Sequence, residues 1–216
     1  MTPPEMRLLD PRGVALPELL DSDGKFILRP AAYFDGLEPN ALTIWCLKHA
    51  RYGVPTRELV DWLAERIAGR KAIEIGAGAG DLCHHLGVPG TDSYLQDKPE
   101  LRLYYAAFGQ RTVSYAPWVE RLDAAEAIAT HRPQVVIGSW ITQLWKSPAD
   151  TKASVYGVDE EAILDAGLTY ITIGNRRVHD DKRILRRPHQ EHIFLGGALR
   201  SRGLHPEDDR VWEWRP

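Results

Sequence analysis

Glu74 stands two residues ahead of three alternating glycines, Gly76, Gly78 and Gly80, in the run Ala72-Ile73-Glu74-Ile75-Gly76-Ala77-Gly78-Ala79-Gly80-Asp81. An apolar strand carrying a carboxylate therefore leads straight into a glycine turn. Glycine has no Cβ, so such a backbone bends sharply and lets a ligand press against the main chain. A helix that starts in the turn points unpaired N–H groups at whatever sits there. These residue types in this order have the chemistry of a nucleotide-type cofactor loop, and the acid selects among cofactors.

A P-loop is excluded, because no Gly-Lys-Ser/Thr follows. The dinucleotide fingerprint is G-x-G-x-x-G, whereas this loop reads G-x-G-x-G and has Asp81 where the third glycine belongs. A carboxylate at 74 repels a pyrophosphate at short range and suits a ligand with a cationic end. The segment resembles motif I of the class I S-adenosylmethionine-dependent methyltransferases, an acid, any residue, then G-x-G-x-G. The resemblance implies a Rossmann-like, doubly wound, mostly parallel α/β sheet flanked by helices. It also implies S-adenosylmethionine as cofactor, with Glu74 ordering the methionine end and Gly76, Ala77, Gly78 and Gly80 admitting it.

The same resemblance implies an acid at the end of the second strand that accepts hydrogen bonds from the ribose hydroxyls. Asp92 is the matching residue and Asp97 the fallback. Asp92 lies 18 positions after Glu74, near the customary spacing of about 20. The fourth strand opens onto the site of methyl transfer, here Val135 to Gln143. Ligands bind off the carboxyl ends of such strands, which brings Ser139, Trp140, Thr142 and Gln143 near cofactor or acceptor. Ser139 is assigned to the cofactor. Trp140, able to lie over a cation or a flat ring, is a candidate for catalysis. The Asn/Asp-Pro-Pro-aromatic tetrapeptide and the Pro-Cys nucleophile of two methylase classes are absent, which removes those acceptors. In the helix ahead of the first strand, Arg51 is placed to pair with the cofactor carboxylate and Tyr52 to hydrogen-bond near it.

From Arg176 to Arg202, eight basic residues face three acids, a local balance of +5 in a chain of net charge −3. Such an asymmetry marks a surface for nucleic acid or another anionic substrate. His179, His189 and His192 lie inside it. Histidine titrates near neutral pH, so a base for the acceptor is expected here, with His179 as the candidate. His189 and His192 lack the glutamate of a zinc-protease motif, and no metal site is expected.

The elements that must position these residues follow from periodicity and punctuation. Residues 1–40, broken by proline and glycine, read as an irregular arm. Helices are expected at Leu42–Tyr52, from an N-cap at Thr56 through Arg66 with Gly69 ending it, and at 80–86, 99–108, 123–130 and 159–166. Asp123 and Glu126 have capping-box spacing. Strands are expected at 71–75, 88–92, 112–115, 135–138, 169–173 and 211–214, and their alternation with helices argues for a parallel doubly wound sheet. The organisation expected is an N-terminal arm with helices (1–70) packed on a cofactor-binding core (71–216).

With 216 residues, 44% of them hydrophobic, the chain fits one α/β domain. Cys46 and Cys83 are too few for a disulfide framework, which suits a reduced, cytoplasmic setting. The proline-punctuated first thirty residues do not read as a secretory leader, and no apolar run is long enough to cross a membrane. The function expected is methyl transfer to an acceptor the sequence does not name. The alternatives are a cofactor-binding scaffold without activity that holds a partner through its basic face and, disfavoured by Glu74 and Asp81, a NAD-dependent oxidoreductase.

Overall fold

A computed structural model describes residues 9–194 and 197–216. The start of the arm, with Pro3 and Pro4, and Leu195–Gly196 of the basic stretch lie outside the described residues. In chain order the elements are α1 (Ala31–Asp35), α2 (Ala41–Lys48), β1 (Gly53–Val54), α3 (Arg57–Ile67), β2 (Ala72–Ile75), α4 (Asp81–Leu86), β3 (Gly90–Asp92), α5 (Pro99–Ala107) and β4 (Val119–Arg121). They continue with α6 (Ala124–His131), β5 (Val135–Ser139), α7 (Glu160–Asp165), β6 (Thr169–Asn175), α8 (Arg176–His179), β7 (Gln190–His192), β8 (Arg200–Ser201) and β9 (Asp209–Trp214).

Among the described residues, a seven-stranded sheet has the order β4-β3-β2-β5-β6-β9-β7. The first five strands in this order run parallel, and β9 lies antiparallel between β6 and β7. The chain winds outward from β2 to one edge, then returns to place β5 on the other side of β2. That reversal is the switch point at which open α/β sheets bind ligands.

Both faces of the sheet are covered, so its central strands are apolar without a polar side. Val135, Ile137, Ile171 and Ile173 pack on Leu59, Leu63 and Ile67 of α3. Ile73, Ile75, Val136 and Tyr170 pack on Ala127 of α6 and Ile163 of α7, with Trp212 and Trp214 buried beside them. A third cluster, Leu19, Phe26, Phe34, Trp45, Cys46 and Val54, anchors the N-terminal segment.

Local signals act as expected at several ends. The Thr56 side chain accepts from the Leu59 N–H and caps α3. Asp123 and Glu126 form a complete capping box on α6. Three expectations need correction. The helix from 42 stops at Lys48, because Ala50 takes a left-handed φ of 53° and residues 53–54 enter a strand. Residues 112–115 are not a strand; the third parallel strand is β4, a three-residue edge too short to show alternation. The basic stretch is not one continuous surface loop, for it contributes β7 to the sheet and β8 to a ribbon with β1.

Candidate cofactor and acceptor cavity

The glycine loop joins β2 to α4 at the carboxyl edge of the sheet. Gly80, the N-cap of α4, has no side chain to cap the helix. Glu74 does so instead: its Oε2 accepts from the Cys83 N–H at 2.8 Å. Enclosure pushes the Glu74 carboxyl up to about 8, with the nearby Asp81 and Asp92 adding to it. Glu74 was expected to present an anion to the cationic end of a ligand. It caps α4 and is 2% exposed, and it is among the residues that line the cavity.

The three glycines differ in what surrounds them. A Cβ on Gly76 would meet Ile141 Cδ1 at 2.5 Å, and one on Gly80 would meet Trp118 Nε1 and Val119 Cγ2 at 2.6 Å. On Gly78, with φ of +56°, a Cβ would find only Val113 Cγ1 at 3.9 Å. Gly80 thus serves packing, Gly76 packs on Ile141 while also lining the cavity, and Gly78 leaves main chain uncovered there.

Asp92, at the end of β3, reaches this uncovered stretch. Its Oδ2 accepts from the Gly78 N–H at 3.0 Å and its Oδ1 from the Tyr94 N–H at 2.9 Å. The Tyr115 hydroxyl lies near it, accepting from the Gln96 N–H, and the Tyr94 and Tyr115 rings stack at 3.9 Å. Burial holds the Asp92 carboxyl above its ordinary range, against the two N–H donors that lower it. Asp97 instead pairs with Arg102 at 2.6 Å and is no part of the cavity wall.

A cavity of about 630 Å³ runs from this loop across the ends of β5 and β6, within the range of small-molecule sites. Ser139, Trp140 and Thr142 line it, as does His179; Gln143 does not, being buried against Arg183 N and Asp181 O. Trp140 has a φ of 57°, and its N–H donates to Ile173 O at 2.8 Å. Its ring lies 6.2 Å from that of Tyr52 and 5.6 Å from that of His179.

His179 corrects an expectation. Its Nδ1 sits 3.0 Å from both the N–H and the carbonyl of Asn175. Burial, and then the Lys182 ammonium, press its pKa down to about 3. The imidazole is neutral at ordinary pH and a poor proton acceptor, unlike the near-neutral base foreseen. His189 and His192 are not in the cavity wall; His192 Nε2 lies 3.2 Å from Glu213. Among the described residues no three His, Cys, Asp or Glu side chains converge on a metal position.

Arg51 does not stand free for a cofactor carboxylate. Its guanidinium pairs with Asp81 at 3.0 Å, both side chains about nine-tenths buried, and donates to His49 O at 2.7 Å. Much of the basic stretch is likewise matched by acids from elsewhere: Lys182 with Glu160, Arg183 with Asp150 and Glu161, Arg187 with Asp165, Arg200 with Asp35. The charge asymmetry of the sequence is therefore largely internal.

Sequence reasoning missed Tyr104, Tyr105, Tyr115, Tyr156 and Asp209, all in the cavity wall, and named Arg202 there only as the end of the basic stretch. Only α5 carried a signal, its run of aromatics; the others arrive through tertiary pairing that no local pattern encodes.

The sheet order, the antiparallel strand β9 inserted before the last strand, and the acid–glycine loop after β2 define the architecture. The fold is class I methyltransferase-like. No protein-family model and no curated protein matches the sequence. Solved structures align in part. A SAM-dependent O-methyltransferase from Thermotoga maritima aligns at 12% identity with a TM-score of 0.41, over 80% of this chain and 70% of that one. A Staphylococcus aureus protein described as a caffeoyl-CoA O-methyltransferase aligns at 10% identity with a TM-score of 0.41, over 86% and 96%. Likenesses this loose carry neither cofactor nor acceptor to this chain. Among the described residues no helix is long and apolar enough to cross a membrane.

Proposed function

We propose that the protein is an S-adenosylmethionine-dependent methyltransferase. The observation that carries this reading is the meeting, in one cavity, of the uncovered Gly78 main chain and the Asp92 carboxylate. S-adenosylmethionine, when bound, supplies a methyl carbon already activated on a sulfonium for in-line transfer to a nucleophile. Asp92 offers carboxylate oxygens to the ribose hydroxyls, and Gly76, Ala77 and Gly78 allow close approach of the main chain. Gly80 and Glu74 fix the loop from behind, through packing on Trp118 and the cap on α4. Ser139, the last residue of β5, and Trp140 after it border the same cavity, and holding the acceptor in line there is worth about 7–11 kcal/mol. The neutral, buried His179 is given no proton-transfer role.

A nicotinamide dinucleotide fits less well. Asp81, paired with Arg51, stands at the first position of α4, where that fingerprint keeps a glycine for close helix–strand packing.

The test of activity is incubation with methyl-labelled S-adenosylmethionine and a panel of nucleic acids, because of residues 176–202, together with proteins and small aromatic acids. Labelled product with release of S-adenosylhomocysteine supports an enzyme. Tight cofactor binding with no transfer to any class favours a scaffold.

A further inference from the structure

Beyond the glycine loop, the cavity has a second half built from segments far apart in sequence. β1 and β8 pair antiparallel, and the ribbon extends one residue further, with the Arg202 N–H donating to Tyr52 O at 2.9 Å. This puts Tyr52 and Arg202 side by side at the cavity wall. The guanidinium carbon of Arg202 lies 4.1 Å from the centroid of the Tyr52 ring. Tyr52 also lies near Trp140, with ring centroids 6.2 Å apart and the two rings inclined by 23°. Tyr105 of α5 lies beside Tyr52 in the same wall.

The surface is aromatic and partly uncovered: Tyr104 is 59% and Tyr156 48% exposed. Flat rings present π-faces and edges that favour another flat ring, and open aromatic surface lining a cavity marks a binding site.

The charges of this half leave one cation in excess. Arg51 is neutralised by Asp81 and Arg200 by Asp35. His179 is neutral. Asp209 is enclosed, 5% exposed, and its Oδ1 is held by Asn175 Nδ2 at 2.8 Å. Burial raises its carboxyl to about 6, and the Arg210 guanidinium beside it offsets its charge. Among the described residues Arg202 has no carboxylate within ion-pair distance. Its planar fork is suited to a carboxylate or phosphate.

We propose that this half of the cavity is the acceptor subsite and takes a small planar aromatic acid, with the ring against Tyr52 and Trp140 and the anionic group on Arg202. The inference rests on the methyltransferase reading for the word acceptor; the subsite itself is testable without it.

The experiment is a calorimetric titration of the full chain, with and without saturating S-adenosylhomocysteine. The probes are benzoate, 3,4-dihydroxybenzoate and phenyl phosphate, each against a neutral or cationic counterpart: benzamide, catechol and benzylamine. The acids are expected to bind about tenfold or more tighter than their counterparts, the usual scale of a charged hydrogen-bonded contact. Arg202→Gln should abolish that preference while melting at the wild-type temperature, and Tyr52→Leu should weaken acids and counterparts alike. Equal binding of acids and counterparts, no binding of any probe, or a preference that survives in Arg202→Gln would overturn the proposal. Aromatic acids that bind while S-adenosylhomocysteine does not would uphold the subsite and remove the methyltransferase reading.

Discussion

The carboxylate of Asp92 accepts a hydrogen bond from the N–H of Gly78 at 3.0 Å, so the end of β3 closes against the loop that leaves β2. The loop is thereby held open towards the cavity by a group that itself lines the cavity. Removing it affects ligand and loop together. Asp92→Ala is expected to weaken S-adenosylhomocysteine binding by about 10–100-fold, from the loss of about 1.5–3 kcal/mol of charged hydrogen bonding. Calorimetry checks this; unchanged affinity removes Asp92 from the site.

The glycines should separate by substitution. Gly80→Ala drives a Cβ into Trp118 and Val119 at 2.6 Å and should lower the melting temperature. Gly78→Ala meets open space and costs only the strain of a positive φ, about 1 kcal/mol. It should leave a folded protein that no longer binds S-adenosylhomocysteine. Melting curves and calorimetry on both variants decide; a Gly78→Ala protein with full affinity would mean that the loop does not face the ligand.

Arg51 and Asp81 form an ion pair that is nearly enclosed, and each leaves a buried charge if the other goes. Arg51→Ala is expected to destabilise by about 3–5 kcal/mol, with a smaller loss in the double variant Arg51→Ala/Asp81→Ala. Urea unfolding of the full cycle measures the coupling. Additive losses would show that the pair is not coupled.

Glu74 gives a pH signature. Its carboxyl is raised from 4.5 in the open chain to about 8 in the fold. The native state holds this proton more tightly, so the contribution is fully present below about pH 4.5 and is lost as pH rises towards 8. Glu74→Gln copies the protonated form. Between pH 5 and 9 the wild-type melting temperature should fall relative to that of Glu74→Gln. Parallel curves would show that Glu74 does not titrate in this window.

The fold was legible where local chemistry and topology agree. The acid–glycine run, the Thr56 cap, the Asp123–Glu126 box and the apolar strand from Val135 each carry their own signal, and together they imply a parallel sheet with a ligand at its carboxyl edge. What they cannot carry is pairing. β4 is three residues at an edge, with no periodicity to read. The ribbon of β1 and β8 joins segments almost 150 residues apart, so neither Arg202 nor its place beside Tyr52 has a local cause. Roles were harder than positions. Glu74 and His179 were singled out from their residue types, but burial makes the first a helix cap and the second a neutral imidazole. The basic stretch looked like a surface because its acidic partners, Asp35, Asp150, Glu160 and Asp165, lie elsewhere in the chain.

The most direct test of the account is isothermal calorimetry of the full chain against S-adenosylhomocysteine and S-adenosylmethionine, with NAD as the comparison. Binding of the first two in the micromolar range, with none of NAD, is the predicted result. Binding of NAD in preference, or of none of the three, would contradict the assignment of the glycine loop to an S-adenosylmethionine site.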